Sequence, residues 1–192
     1  MHKEFSDGFL PHIDDDPIMR LYAHYFLHSE FILECAKDIE RKTRKNKTSK
    51  VKSDTACKYS SLMTQWLATL YVVVDGFDEI KIEEELFMRP KTINGKPSGF
   101  QEITDKSNYI KSIYCIHKDD LRIFRNGVFH FQKNSSKLTQ LFDANRGIIL
   151  WAEDLHAQFR DFFSEYRIVC SVYCAINGRR EEAWGPPRYV EW

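Results

Sequence analysis

A chain of 192 residues is long enough to bury one sizeable core and too short for two large domains. Aromatic residues make up 14% of it, which favours a packed interior over disorder. With 28 Lys and Arg against 28 Asp and Glu, net charge excludes long-range attraction to nucleic acid and leaves any such attraction to a local patch.

The opening segment MHKEFSDGFLPHIDDDP carries charges where a signal peptide needs an apolar stretch, so none is predicted. Asp16-Pro17 then opens a helix, because the carboxylate can cap it and proline is tolerated in the first turn. Ile18, Leu21, Tyr22, Tyr25, Phe26, Phe31, Ile32, Cys35, Ala36 and Ile39 recur at threes and fours with smaller steps between and carry that helix to about Lys42. From Arg41 to Lys52 the chain is basic and poor in apolar residues, which reads as a solvated loop or a fraying helix end. A second long helix is predicted from about Asp54 toward Ile80, with Tyr59, Leu62, Met63, Trp66, Leu67, Leu70 and Tyr71. Its apolar run from Leu67 to Val74 is far shorter than a membrane span. The segment RPKTINGKPSG, residues 89–99, holds Asn-Gly, Pro and Ser-Gly signals and reads as a loop.

A shorter helix is predicted over Asp105–Cys115. Another runs from Lys118 or Asp119 to just past Phe131. Gln132 to Arg146 is polar and irregular, with room for a brief extended piece over residues 138–142. The last long helix spans about Ile149 to Asn177, where Asn177-Gly178 is a good stop. Residues 178–192 form a turn-rich tail expected to lie on the surface. The fold class is therefore all-α: a helical bundle with two long antiparallel helices plus shorter ones, one domain over 1–192 with its core about 16–177. The five cysteines form no C-x-x-C pair and imply a reduced, cytoplasmic protein without membrane contact.

Most informative is Arg125-Asn126-Gly127-Val128-Phe129-His130. An arginine, a side-chain amide and a histidine within two turns can grip a phosphate and move a proton without a metal. Leu121, Phe124, Val128 and Phe131 form the apolar sector of this helix, while Asn126 and His130 fall on a polar face. On an ideal helix Arg125 points about 140° away from His130. Bringing the two together calls for a break at Gly127 or a second copy of the helix. Taken alone, the hexapeptide also fits a surface histidine beside a salt-bridged arginine.

Arg125-Asn126 followed by His130, on a later helix of a small bundle, resembles the signature of the HEPN superfamily, in which four to six residues stand between Arg and His, very often with Asn directly after the Arg. The aromatic-aliphatic run into Asp75-Gly76 and the aromatic-rich final helix fit as well. The resemblance implies a metal-independent endoribonuclease, of the kind found in toxin or defence systems, working as a homodimer with two such helices facing one cleft. His130 would then act on the ribose 2′-hydroxyl or the leaving 5′-oxygen, and Arg125 would hold the scissile phosphate. Asn126 would orient either. Some members of the superfamily are non-catalytic RNA- or protein-binding modules, which is the alternative expectation. Gln132 stands where antitoxin-regulated members often carry Tyr, which argues against control by tyrosine modification but leaves an antitoxin protein as a partner to consider.

Three further groups stand out. Asp75 interrupts Val72-Val73-Val74 before Gly76, so a partly buried carboxylate paired with Arg122 or Arg125 is expected in support of the site. Arg41, Lys42, Arg44, Lys45, Lys47, Lys50 and Lys52, with no acid between them, are the candidate RNA-binding patch. His24 and His28 have metal-ligand spacing but no third ligand at a persuasive distance, so no metal is expected. No P-loop, dinucleotide-binding or esterase motif occurs, and no cofactor is expected.

Overall fold

Asp16 starts the first helix as the Asp-Pro pair implies. Its Oδ1 accepts from the backbone N–H groups of Ile18 at 2.8 Å and Met19 at 3.3 Å, and Pro17 sits in the first turn. In this computed structural model, which describes residues 8–45, 49–130 and 146–183, α1 spans Pro17–Leu21. One π-helical turn covers Tyr22–Phe26, and α2 continues over Leu27–Lys45. Helix α3 runs Ser49–Glu79. The basic segment expected to be a solvated loop or a fraying helix end thus forms the end of α2 and the start of α3, with residues 46–48 outside the described residues.

Lys81, with φ 56°, breaks the chain direction, and α4 (Ile82–Phe87) follows with Glu83, Glu84 and Glu85 in its first turn. Acidic residues there favour a helix through its dipole. The expected loop contains a small hairpin: β1 (Thr92–Ile93) pairs antiparallel with β2 (Lys96–Pro97). Asn94 and Gly95, with φ of 51° and 73°, make its two-residue turn. Helix α5 (Phe100–Tyr114) starts at Gly99, earlier than Asp105. Then come α6 (Lys118–Phe129), α7 (Arg146–Ile176) and α8 (Arg180–Ala183). The extended piece expected over 138–142 lies outside the described residues.

Gly178 closes α7 in the left-handed conformation, φ 75°, and the Arg179 N–H returns to the Cys174 carbonyl at 2.8 Å. The tail is a partial correction, because its first residues are not merely laid on the surface. Arg179 donates to the carbonyls of Leu10 and Pro11, each at 2.8 Å, and pairs with Glu182. Residues 184–192 lie outside the described residues.

The architecture is an all-α bundle. The helical run from Pro17 to Lys45 lies antiparallel to α7, as the pairs Asp16–Tyr166, Tyr22–Phe163, Glu30–Arg160 and Lys37–Glu153 show in order. Helix α3 packs between α2 and α6 and meets α7 through Phe77, whose ring stands edge-on to Phe159 and Phe162 at 5.3 and 5.2 Å. One continuous core, from Leu10 to Cys174, holds these rings together with Trp66, Phe163 and Tyr166.

A polar knot sits inside it. Arg89, 3% exposed, donates through Nε to Tyr166 Oη at 2.9 Å and through Nη2 to Asp16 at 3.3 Å, with Glu85 at 3.2 Å. Burial works against the guanidinium charge, but Tyr166 and Asp16 outweigh it and the pKa is raised. No helix among the described residues is long and apolar enough to cross a membrane.

Candidate functional site

Helix α6 is amphipathic, with Asp119 and Asp120 in its first turn. His117, at the N-cap position, shares a proton contact of 2.7 Å with Asp120 through Nδ1. Leu121 and Phe124 point into the core and are fully buried. Val128, placed in the same apolar sector by periodicity, is 36% exposed instead, because the helix is about to end. It runs unbroken through Gly127 and stops at Phe129, short of Phe131, which lies outside the described residues.

That stop resolves the angular problem of the motif. His130 adopts φ −125° and ψ 130°, extended backbone, while its N–H still reaches the Asn126 carbonyl at 3.2 Å. Its ring is no longer bound to the azimuth of an ideal helix. Arg125 Nη1 donates to Asn126 Oδ1 at 3.0 Å and approaches His130 Nε2 at 3.4 Å. Neither a break at Gly127 nor a second copy is needed to unite the three side chains. Since a guanidinium only donates, a hydrogen bond between the two needs His130 Nε2 as its acceptor. The contact is at the long end for a hydrogen bond, and the ring is exposed.

Asp75 departs from expectation. It is exposed, and it accepts a hydrogen bond from Tyr71 Oη at 3.3 Å rather than pairing with Arg122 or Arg125. Burial first, then the Asp75 charge, push the Tyr71 hydroxyl up, while Arg122 and Lys118 pull it down. Asp75 also borders a groove of about 320 Å³ shared with Arg20, Tyr25 and Glu79. One turn along α3, Asp78 accepts from both Lys118 and Tyr114. Burial alone would raise its carboxyl, yet those two donors hold it below the usual range.

The basic patch is only partly within view. Arg41 is exposed but ion-paired with Asp38 at 2.7 Å, and Lys42 is exposed. Lys47 lies outside the described residues, as do the side chains of Arg44, Lys45, Lys50 and Lys52. Gln132 is outside them too. His24 and His28 are both exposed, and no group of three potential metal ligands gathers among the described residues. Cys170 and Cys174 are buried in α7, and burial pushes both thiols up, which makes them packing groups rather than nucleophiles.

Two further residues of the helix lie beside the motif, Arg122 and Phe129. Both are exposed on α6, three residues before and four after Arg125. No family model, no curated protein and no solved structure matches this chain.

Proposed function

We propose that the chain is a metal-independent endoribonuclease of HEPN type, with Arg125 and His130 as its catalytic pair. The observation that carries this reading is the convergence of guanidinium, carboxamide and imidazole at an exposed helix end. An incoming phosphodiester takes the Arg125 fork, which suits two phosphate oxygens and opposes the charge that builds on them. The same event frees His130 Nε2, which then accepts the proton of the ribose 2′-hydroxyl. The 2′-oxygen–phosphorus bond forms, the bond from phosphorus to the 5′-oxygen breaks, and that oxygen takes a proton from solvent. A 2′,3′-cyclic phosphate and a 5′-hydroxyl result. DNA is spared because it has no such nucleophile.

In this reading Asn126 orients Arg125, and Asp75 has no part in the chemistry. A homodimer would set two clusters along one cleft, each assembled within its own chain. Exposed Lys42 and the rest of the basic segment would add salt-dependent affinity for RNA.

A second reading has its own support. Arg125 Nη1 is engaged by Asn126 and His130 without any ligand, as in a binding module that performs no chemistry. Incubation with single-stranded RNA in EDTA decides between them. Cleavage by the wild type, lost in Arg125→Ala and His130→Ala proteins that remain folded, supports the nuclease. Binding without cleavage supports the module, and cleavage that survives both substitutions overturns the mechanism.

A further inference from the structure

We propose that Arg122 and Phe129 extend the Arg125–His130 cluster into a strip for single-stranded RNA, Arg122 holding a neighbouring phosphate and Phe129 stacking an unpaired base. The proposal rests on the reading of this chain as a protein that takes RNA at the Arg125–His130 cluster, and adds how that RNA is held.

Positions 118, 122, 125 and 129 fall within about 60° of one another around α6. Of the cations along this line, two are already engaged. Lys118 is held by Asp78, and that hydrogen bond is the main reason its pKa is raised. Arg125 is turned toward Asn126 and His130. Arg122 differs, being exposed with no hydrogen bond and no ion pair among the described residues. Of the acids near it, Asp78 is held by Lys118 and Tyr114 and Asp120 by His117, while Asp75 accepts from the Tyr71 hydroxyl and Asp119, three residues before it, is exposed; none of them pairs with Arg122 among the described residues. An unneutralised guanidinium one turn from a phosphate-gripping arginine suits the next phosphate of the same strand.

Phe129 supplies the second element. It is the last helical residue, 53% exposed, on the line of the arginines and next to His130. Phe124 of the same helix is fully buried, so the core does not lack for rings here. Along the axis, Phe129 lies about 6 Å beyond Arg125 and Arg122 about 4.5 Å before it. An exposed ring beside a row of cations is how proteins hold single strands, since a base must leave its own stack to lie on the ring. Duplex RNA offers no such base.

The test uses the full chain and a fluorescent 2′-O-methyl single-stranded oligonucleotide, which binds but cannot be cut. Anisotropy is measured over a range of salt, with an RNA duplex as comparator. Phe129→Ala should weaken single-strand binding by roughly 5- to 100-fold and remove the preference over duplex, while Phe129→Tyr keeps both. Arg122→Ala should weaken binding and reduce the log–log salt slope by about 0.7. Matching melting curves for all proteins confirm that the fold is intact. Affinity and slope unchanged in both alanine variants would overturn the proposal, as would a wild type that binds no RNA or binds only a protein partner. A wild type that binds in this way yet never cuts natural RNA leaves the strip standing and defeats only the nuclease. A wild type that cuts, with Arg122→Ala and Phe129→Ala cutting and binding equally well, defeats only the strip.

Discussion

Arg125 Nη1 and His130 Nε2 lie 3.4 Å apart because α6 ends at Phe129 and lets the histidine turn back along the helix. Asn126 Oδ1 accepts from the same arginine nitrogen at 3.0 Å. If that geometry positions the guanidinium, Asn126→Ala should slow RNA cleavage by roughly 10- to 100-fold with little change in RNA affinity. Arg125→Lys should be worse, losing about 10²–10³ in kcat, because an ammonium cannot reproduce a planar fork. Single-turnover cleavage beside a binding titration separates the two effects. Equal losses in rate and affinity for Asn126→Ala would show that it serves binding alone.

Arg89 anchors the fold far from this site. Replacing it with Met leaves Asp16 buried without its cation, although Tyr166 and two backbone N–H groups still reach the carboxylate. Breaking a buried pair typically costs about 3–5 kcal/mol. Urea unfolding of Arg89→Met should show a loss of that size. Arg41→Ala, which removes the exposed pair with Asp38 and a long, exposed donation to the Lys37 carbonyl, should cost less than about 1 kcal/mol. Comparable losses in the two variants would contradict the buried knot as a stabilising element.

His156 makes stability depend on pH. It is 1% exposed, its Nδ1 accepts from Trp66 Nε1 at 3.2 Å, and its Nε2 has no partner among the described residues. Burial, followed by the charges of Arg160 and Lys37, pushes it from 6.5 down to about 3. Between those values the unfolded chain binds a proton that the folded chain refuses, so stability is complete above pH 6.5 and falls as pH drops toward 3. The slope from one such proton is about 1.4 kcal/mol per pH unit. Asp78 and Glu182, both with lowered pKa values, act in the same direction at lower pH. His156→Asn keeps an acceptor for Trp66 and removes the titrating ring, so its stability should fall less steeply between pH 6.5 and 5. Identical slopes in denaturation series would refute this assignment.

Asp75 should be dispensable for chemistry. Asp75→Asn keeps an acceptor for the Tyr71 hydroxyl and leaves an exposed site polar, so stability should change by no more than about 0.5 kcal/mol and cleavage should stay within about twofold, a difference of ~0.4 kcal/mol. A loss of a hundredfold or more in kcat would return Asp75 to the catalytic machinery.

Much of the fold was legible because its signals are local. Asp16-Pro17 and Asn177-Gly178 mark helix ends through their own backbone chemistry, and the buried Leu121 and Phe124 follow from periodicity alone. Other features depend on partners distant in sequence. Nothing near Arg89 announces its burial, since Asp16 and Tyr166, which hold it, come from opposite ends of the chain. Helix α4 is short and acid-rich, so it has too few apolar positions to show a period. The motif was visible as residue types, but its geometry was not. Val128-Phe129-His130 carries no stop signal, so the helix end that turns His130 toward Arg125 cannot be read there. Asp75 misled for the opposite reason: three valines before it suggested burial, yet its position on α3 faces solvent.

The central claim is that one chain builds a complete phosphodiester-cleaving pair from Arg125 and His130. Mixing refolded Arg125→Ala and His130→Ala proteins, and analysing the ends of single-stranded RNA in EDTA, tests it most directly. Wild type should yield 2′,3′-cyclic phosphate ends, while either variant and their equimolar mixture should yield none. Recovery of cleavage in the mixture, which would require the two groups to meet across protomers, or cleavage by either variant alone, would contradict it.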